Sequence, residues 1–178
     1  MKIFKNIFKD FYIYMLWGLA AWVIVGFVYG RIEYEPASKK VVITIDAEVK
    51  QTELSVELEK NMPEGIKQVR AYSLDYFMFD DGTLEYADML VFNEEGLKKY
   101  AELFAELDKS AFPAGTEFYE YEGQTLGILL NGEAKAYIGY GEGNYYLVFN
   151  KKSLHANKIT GTGDDAAFTV YETFMKLK

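Results

Sequence analysis

The side chains in this chain that could do chemistry are few and poorly matched. Asp75, Asp80, Asp81, Glu85 and Asp88 are dense enough to raise the question of a calcium site, because hard cations take several oxygen ligands. Their spacing departs from the Asp-x-Asp-x-Asp-Gly loop, and around Asp80-Asp81-Gly82 they read as solvated turn acids. His155 is the one histidine, a residue type suited to a general base or a pH sensor. No serine stands in a Gly-x-Ser-x-Gly setting and the chain has no cysteine, so His155 has no nucleophile to activate. It reads as a loop histidine with satisfied hydrogen bonds. A single histidine also excludes the common two- and three-His zinc sites. Gly139 to Gly143 and Gly161 to Gly163 lack the Lys-Ser/Thr of a phosphate loop and read as turns. The last constellation is aromatic: Phe118, Tyr119, Tyr121, Tyr137, Tyr140, Tyr145 and Tyr146. Exposed tyrosines make good binding surfaces, whereas cross-strand aromatic packing needs the same residues for stability alone. No catalytic residue, metal or cofactor is expected.

The setting of these residues is a 178-residue chain with 50% apolar and 17% aromatic residues, which excludes a disordered chain. A net charge of −8 argues against a nucleic-acid partner, which needs a basic face. Phe11 to Gly30 is a run of 20 residues without a charge. As a helix it is about 30 Å long, the thickness of a bilayer's hydrocarbon core. Tyr12, Tyr14 and Trp17 at one end and Tyr29 at the other suit the two interfaces, while Trp22, mid-run, has no such role. A cleaved signal peptide needs a shorter apolar region and a small-x-small site, which Val28-Tyr29-Gly30 matches poorly. The run therefore reads as an uncleaved signal anchor, preceded by a basic flank over residues 1–10. Lys2, Lys5 and Lys9 place that flank in the cytoplasm and the rest of the chain outside the cell membrane. With the three lysines and Asp10 set aside, residues 31–178 carry 16 basic and 26 acidic residues, net −10. Residues 31–40, with Pro36 and Ser38, read as a tether to an extracellular domain over 41–178.

Within that domain Val41 to Asp46 is apolar on both faces, the pattern of a strand buried on both sides. Thr52 is placed to cap a helix over Glu53 to Lys60, and Gln68 to Ser73 reads as a second strand. Ala87 to Phe92 reads as a third, followed by a helix with Asn93 at its cap and Glu94 and Glu95 in its first turn. This order favours a small parallel sheet. After Pro113, Thr125 to Leu130, then Asn131-Gly132, then Glu133 to Tyr140 carry a strong hairpin signal. Tyr145 to Phe149 completes an antiparallel meander, Asn150 to Gly163 is a loop, and Asp164 caps a last helix bearing Ala167, Val170, Tyr171, Phe174 and Leu177. The fold class is α/β: an N-terminal transmembrane helix followed by one small mixed-sheet domain.

Two stretches carry a resemblance. Tyr145-Tyr-Leu-Val-Phe-Asn150, Ser153-Leu-His155 and the capped Asp164-Asp-Ala-Ala167 helix resemble the end of certain membrane-anchored extracellular proteins of Gram-positive bacteria. Ala87-Asp-Met-Leu-Val-Phe92, the acidic-capped helix after it and Leu107-Asp108 resemble a strand–helix–loop segment of the same proteins. These are similar to reduced relatives of the bacterial extracellular solute-binding proteins that serve ABC transporters. The resemblance implies a periplasmic-binding-protein-like fold and a ligand-binding or transport role. The 148 outer residues supply little more than one lobe where a full binding protein closes two, and the signal anchor replaces a lipidated cysteine.

In an open parallel sheet, ligands sit beyond the carboxyl ends of the strands, near a switch in strand order. Asp46, Asp75, Tyr76 and Asn93 occupy those ends and are the expected ligand-binding residues. Glu94 and Glu95 make the local field negative, so a cationic or neutral polar ligand is expected there, with Tyr76 as a stacking face and away from Tyr137 and Tyr146. The expected function is a non-enzymatic, membrane-anchored binding or accessory module attached to an ABC-type transport system, with a permease as partner. The alternative is an interaction module that docks another membrane protein through its aromatic sheet and binds no small molecule. Protease added outside intact cells should digest residues 31–178 and leave a small membrane fragment. Full protection of the domain would reverse the orientation.

Overall fold

The computed structural model describes residues 2–33, 35–74, 84–138 and 143–177. The chain divides into two compact units, Met1–Pro36 and Ala37–Lys178. The first is a single helix, α1 (Lys2–Glu33), longer at both ends than the apolar run. Its span Phe11–Val28 is long and apolar enough to cross a bilayer, and those side chains are exposed. The second unit starts earlier than the first strand. Ala37–Lys39 forms a 3-10 turn leading directly into β1, so these three residues belong to the folded unit where the sequence reads as tether.

The second unit is a mixed α/β fold around a six-stranded sheet of order β2-β1-β3-β6-β5-β4. Its strands are β1 (Lys40–Ile45), β2 (Gln68–Ser73), β3 (Met89–Phe92), β4 (Phe118–Tyr121), β5 (Gln124–Leu129) and β6 (Tyr146–Phe149). β1 pairs in parallel with both β2 and β3, and the remaining pairs are antiparallel. Both sheet faces are buried. On one, Val41, Ile43, Ile45, Met89, Val91, Leu147 and Phe149 pack with Leu54 and Leu58 of α2 (Gln51–Glu59) and with the last helix, Ala166–Met175. On the other, Leu90, Phe92, Tyr146 and Val148 pack with Leu97 of α3 (Glu94–Lys99) and with Phe104. A strand covered on both sides has no polar face to show, which is why β1 and β3 read as nearly unbroken apolar runs.

Three local expectations change. The helix after β1 begins at Gln51, and the side chain at its cap position, Lys50, makes no capping bond to the backbone. Asn131-Gly132 is not a hairpin turn. The Asn131 side chain accepts from the Ala134 N–H at 2.8 Å and donates to the Met175 carbonyl at 2.6 Å, so it opens a short helix, α4 (Gly132–Lys135), where a strand is expected. Asparagine serves turns and helix caps equally well, and the buried Ala134 favours the helix. The two-residue hairpin lies instead between β4 and β5, with Tyr121 opposite Gln124. Its turn residues Glu122 and Gly123 have φ of 50° and 82°, the paired positive values that match the twist of the strands. The polar stretch after β6 also holds one helical turn, α5 (Asn157–Thr160), before α6 (Ala166–Met175). The expected apolar residues of α6, together with Leu177 beyond it, are buried.

Two devices shape the sheet's margins. At the β2 edge, the outward N–H of Ala71 donates to the Ser55 hydroxyl at 3.1 Å and that of Val69 to the Glu59 carboxylate at 3.4 Å. Side chains of α2 thus answer backbone groups that a further strand would otherwise claim. Where β5 and β6 diverge, residues 104–107 fill the gap: Ala105 N–H donates to Phe149 O at 2.9 Å and Leu107 N–H to Thr125 O at 2.8 Å. On the α3 side, Gly96 lies so close to Phe92 that an added Cβ would stand 2.5 Å from the ring's Cδ1. Phe92 is fully buried and has nowhere to move. Gly96→Ala should therefore destabilise the fold by about 1–3 kcal/mol, read from urea unfolding of the full chain. An unchanged midpoint would show that the core there yields.

Candidate functional site

β1 lies between β2 and β3, and the chain leaves it to one side and returns to the other. The loops at the carboxyl ends of β1 and β3 therefore part, and this is the switch point at which open α/β sheets bind ligands. Asp46 immediately follows β1, and its N–H donates to Val91 O at 2.8 Å. The register Ile45 to Val91 sets Asp46 beside Phe92, one residue short of Asn93. Asn93 is the cap of α3, accepting from Gly96 N–H at 2.9 Å, so its side-chain oxygen is committed to the helix. Asp75 and Tyr76 lie outside the described residues, as do Asp80 and Asp81.

The aromatic partners at this end come from a part of the sequence far along the chain. β6 runs antiparallel to β3 with Phe92 opposite Tyr146, so the start of β6 adjoins the end of β3. Tyr146 and Tyr137 therefore border the proposed strand ends and do not form an opposite edge. Val49 bridges Ile138, and Lys50 N–H donates to Tyr137 O at 3.2 Å. The Tyr146 hydroxyl donates to Glu94 Oε1 at 3.4 Å, and its ring lies 5.1 Å from that of Tyr119, tilted by 52°. Burial first, then negative neighbours including Glu94, hold both phenols above their usual range, so they remain neutral donors. Gly127 lies beneath the pair, since a Cβ there would meet Tyr146 Cβ at 3.2 Å and Tyr119 Cβ at 3.5 Å. Phe118 turns to the other face and packs edge-on against Phe112 at 5.6 Å. The tyrosines are thus divided by the sheet, and part of the set does pack across strands.

The field at this end is more balanced than Glu94 and Glu95 alone imply. Lys99 is raised above its usual range first by its bond to the Tyr100 phenol and further by the negative charges of Asp46 and Glu95. Asp46 also adds to the burial that raises Tyr145. Around Asp46 the site is therefore of mixed charge, while around Tyr146, Tyr119 and Glu94 it is aromatic and acidic. No group of metal-ligating residues that could hold an ion occurs among the described residues.

A second polar cluster lies inside the protein. Asp88, the one charged residue in the Ala87 to Phe92 run, is buried. Its Oδ2 accepts from Val42 N–H at 2.9 Å and its Oδ1 from the Ser153 hydroxyl at 2.8 Å. Burial raises the carboxyl above its usual value against the pull of those two bonds and of His155. Ser153 Oγ also accepts from His155 N–H at 3.0 Å. A serine whose hydroxyl donates to a carboxylate is not an activated nucleophile. His155 is 2% exposed, with Nδ1 2.8 Å from Asp164 Oδ1 and Nε2 2.8 Å from the Ala37 carbonyl oxygen. It is the satisfied loop histidine that the sequence implies. Of the acids dense enough to raise the question of calcium, Asp88 points inward and Glu85 pairs with Lys152 at 2.7 Å on the surface, while Asp75, Asp80 and Asp81 lie outside the described residues. The position of a lone acid within an apolar strand was the signal for Asp88. Nothing local in the sequence links Tyr146 to Glu94.

No protein-family model, curated protein or solved structure matches this chain.

The network has a pH signature. Burial alone would lower the His155 pKa, but the bond to the Ala37 carbonyl, the bond to Asp164 and the charges of Asp88 and Asp164 raise it above 6.5. The native state then holds a proton that the unfolded chain gives up as pH rises past 6.5. Its stabilisation is complete below 6.5 and is lost as pH climbs through the folded value. Thermal melts of the full chain between pH 5.5 and 9 should show stability falling with pH, with a shallower fall in His155→Gln. An equal slope in both proteins would remove His155 from the account.

Proposed function

We propose that this protein is a membrane-anchored, non-enzymatic binding or accessory module, with a cytoplasmic N-terminus and residues 31–178 outside the cell. The observation that carries the reading is the convergence at the β1–β3 switch point. Asp46, Glu94, Tyr146 and the Tyr119 ring gather at one end of the sheet, whereas Asp88, Ser153 and His155 are consumed by internal bonds. Groups that are mutually satisfied in the interior hold structure, and groups at a switch point are placed to meet a ligand. Neutral phenols and carboxylates suit a cationic or neutral polar solute, held by hydrogen bonds and by attraction to the aromatic faces. The periplasmic-binding-protein-like fold, and a permease of an ABC-type system as partner, are the specific form of this reading. They rest on the resemblance of 87–108 and 145–167.

Docking to another membrane protein is the second reading. It is favoured by Tyr119 and Tyr121, half-exposed on β4 at the end of the sheet. A thermal-shift screen of the full-length protein in detergent against amino acids, amines, sugars and short peptides distinguishes the two. A ligand at 100 times its Kd should add about 2.7 kcal/mol of stability. Tyr146→Phe, which keeps the packed ring and removes the hydroxyl, and Glu94→Gln should each weaken such a ligand at least tenfold, with circular dichroism unchanged. Absence of any shift, together with recovery of a membrane protein by co-purification, would favour the docking reading.

A further inference from the structure

The histidine network has a consequence at the point where the folded unit begins. Ala37 is the first residue of that unit, four residues after the end of α1 at Glu33. Its carbonyl can only accept, and the Asp164 carboxylate accepts as well. Both ring nitrogens of His155 therefore face acceptors at 2.8 Å, an arrangement that only the imidazolium, with two N–H groups, satisfies in full. We infer that His155 is a proton-dependent latch that holds the first turn of the folded unit, Ala37–Lys39, in place.

The two bonds differ in strength. The one to Asp164 is charge-assisted, and Asp164 is itself fixed: its Oδ1 accepts from Ala166 N–H at 2.9 Å and its own N–H donates to Leu154 O at 3.0 Å. When the ring loses a proton, the remaining N–H stays with the carboxylate. The Nε2 lone pair then faces the Ala37 carbonyl oxygen, a contact between two acceptors, and the 3-10 turn Ala37–Lys39 is released. Gly163 has a φ of 81°, and any Cβ there would overlap the Leu154 carbonyl, so the loop carrying His155 and Asp164 is closely packed. The charged groups acting on the ring are Asp164 from the α6 side and Asp88 from the β3 side. Asp165 accepts from the Lys158 N–H at 2.7 Å, and the Lys158 ammonium lies 4.4 Å from the centre of the Phe168 ring. Acid closes the latch and alkali opens it.

The composition makes the test clean, since the chain has one histidine and no cysteine. Imidazole NMR of the full-length protein in detergent should show a midpoint above 6.5, with both nitrogens protonated below it. Spin labels on Ser38→Cys and Thr169→Cys, both exposed positions, should give a narrow distance distribution below that midpoint and a broad one above it. His155→Gln should give the broad distribution at every pH, and Asp164→Asn should move both transitions to lower pH together. An imidazole titrating at or below 6.5 would overturn the latch. So would a distance distribution that stays unchanged while the ring titrates, or a pH response that survives in His155→Gln.

Discussion

A carboxylate taken out of water must be answered at both oxygens, and the way Asp88 is answered ties the folded unit together. Asp88 and Val42 exchange bonds in both directions, backbone N–H to backbone carbonyl and backbone N–H to carboxylate, which extends the pairing of β1 with β3 beyond the ladder. The Asp88 carbonyl accepts from Asn150 N–H, so the end of β6 is fixed to the same residue. Asn150 in turn donates through its side chain to the Leu84 carbonyl, and Ser153 connects Asp88 to the loop of His155. Each group taken singly would be costly to bury, and removing one partner would strand the others. Three central strands, β1, β3 and β6, and the loop after β6 thus meet at this one acid.

The same pairing composes the end of the sheet at the β1–β3 switch point. Because β6 is antiparallel to β3, its first residues meet the last residues of β3, and Tyr146 is delivered to Glu94. Had β6 been parallel, its tyrosines would lie at the far end of the sheet. The hairpin β4–β5 then adds Tyr119 to the rim, with Gly127 leaving the two rings room to meet. The polar interior and the aromatic rim have separate roles. The first is saturated and holds geometry, and the second sets the buried Tyr146 beside the half-exposed Tyr119 at a point of divergence.

Much of the folded unit was legible in the residue order. Strands buried on both faces are announced by unbroken β-branched runs, as in Val41 to Ile45, and helix starts by a cap followed by acids, as in Asn93-Glu94-Glu95. Where two local codes overlap, the sequence is ambiguous. Asn131-Gly132 satisfies both a hairpin turn and a helix cap, and the choice was made by the distant Met175 carbonyl, which the Asn131 amide reaches. Glu122-Gly123 carried a weaker turn signal, because glutamate is uncommon at positive φ, and there the strand twist prevailed.

For the site, composition and spacing determined which side chains exist to be used: one histidine, no thiol, 15 tyrosines and a 20-residue uncharged run. They also determined that an apolar helix long enough to span a bilayer precedes a small α/β unit, since hydropathy and periodicity are local properties. Tertiary structure alone decided which of those side chains meet. Asp88 and Ser153 are separated by 65 residues, Glu94 and Tyr146 by 52, and Ala37 and His155 by 118. Hydrogen bonds across such separations depend on strand direction and register, which are properties of the whole sheet and of no single segment.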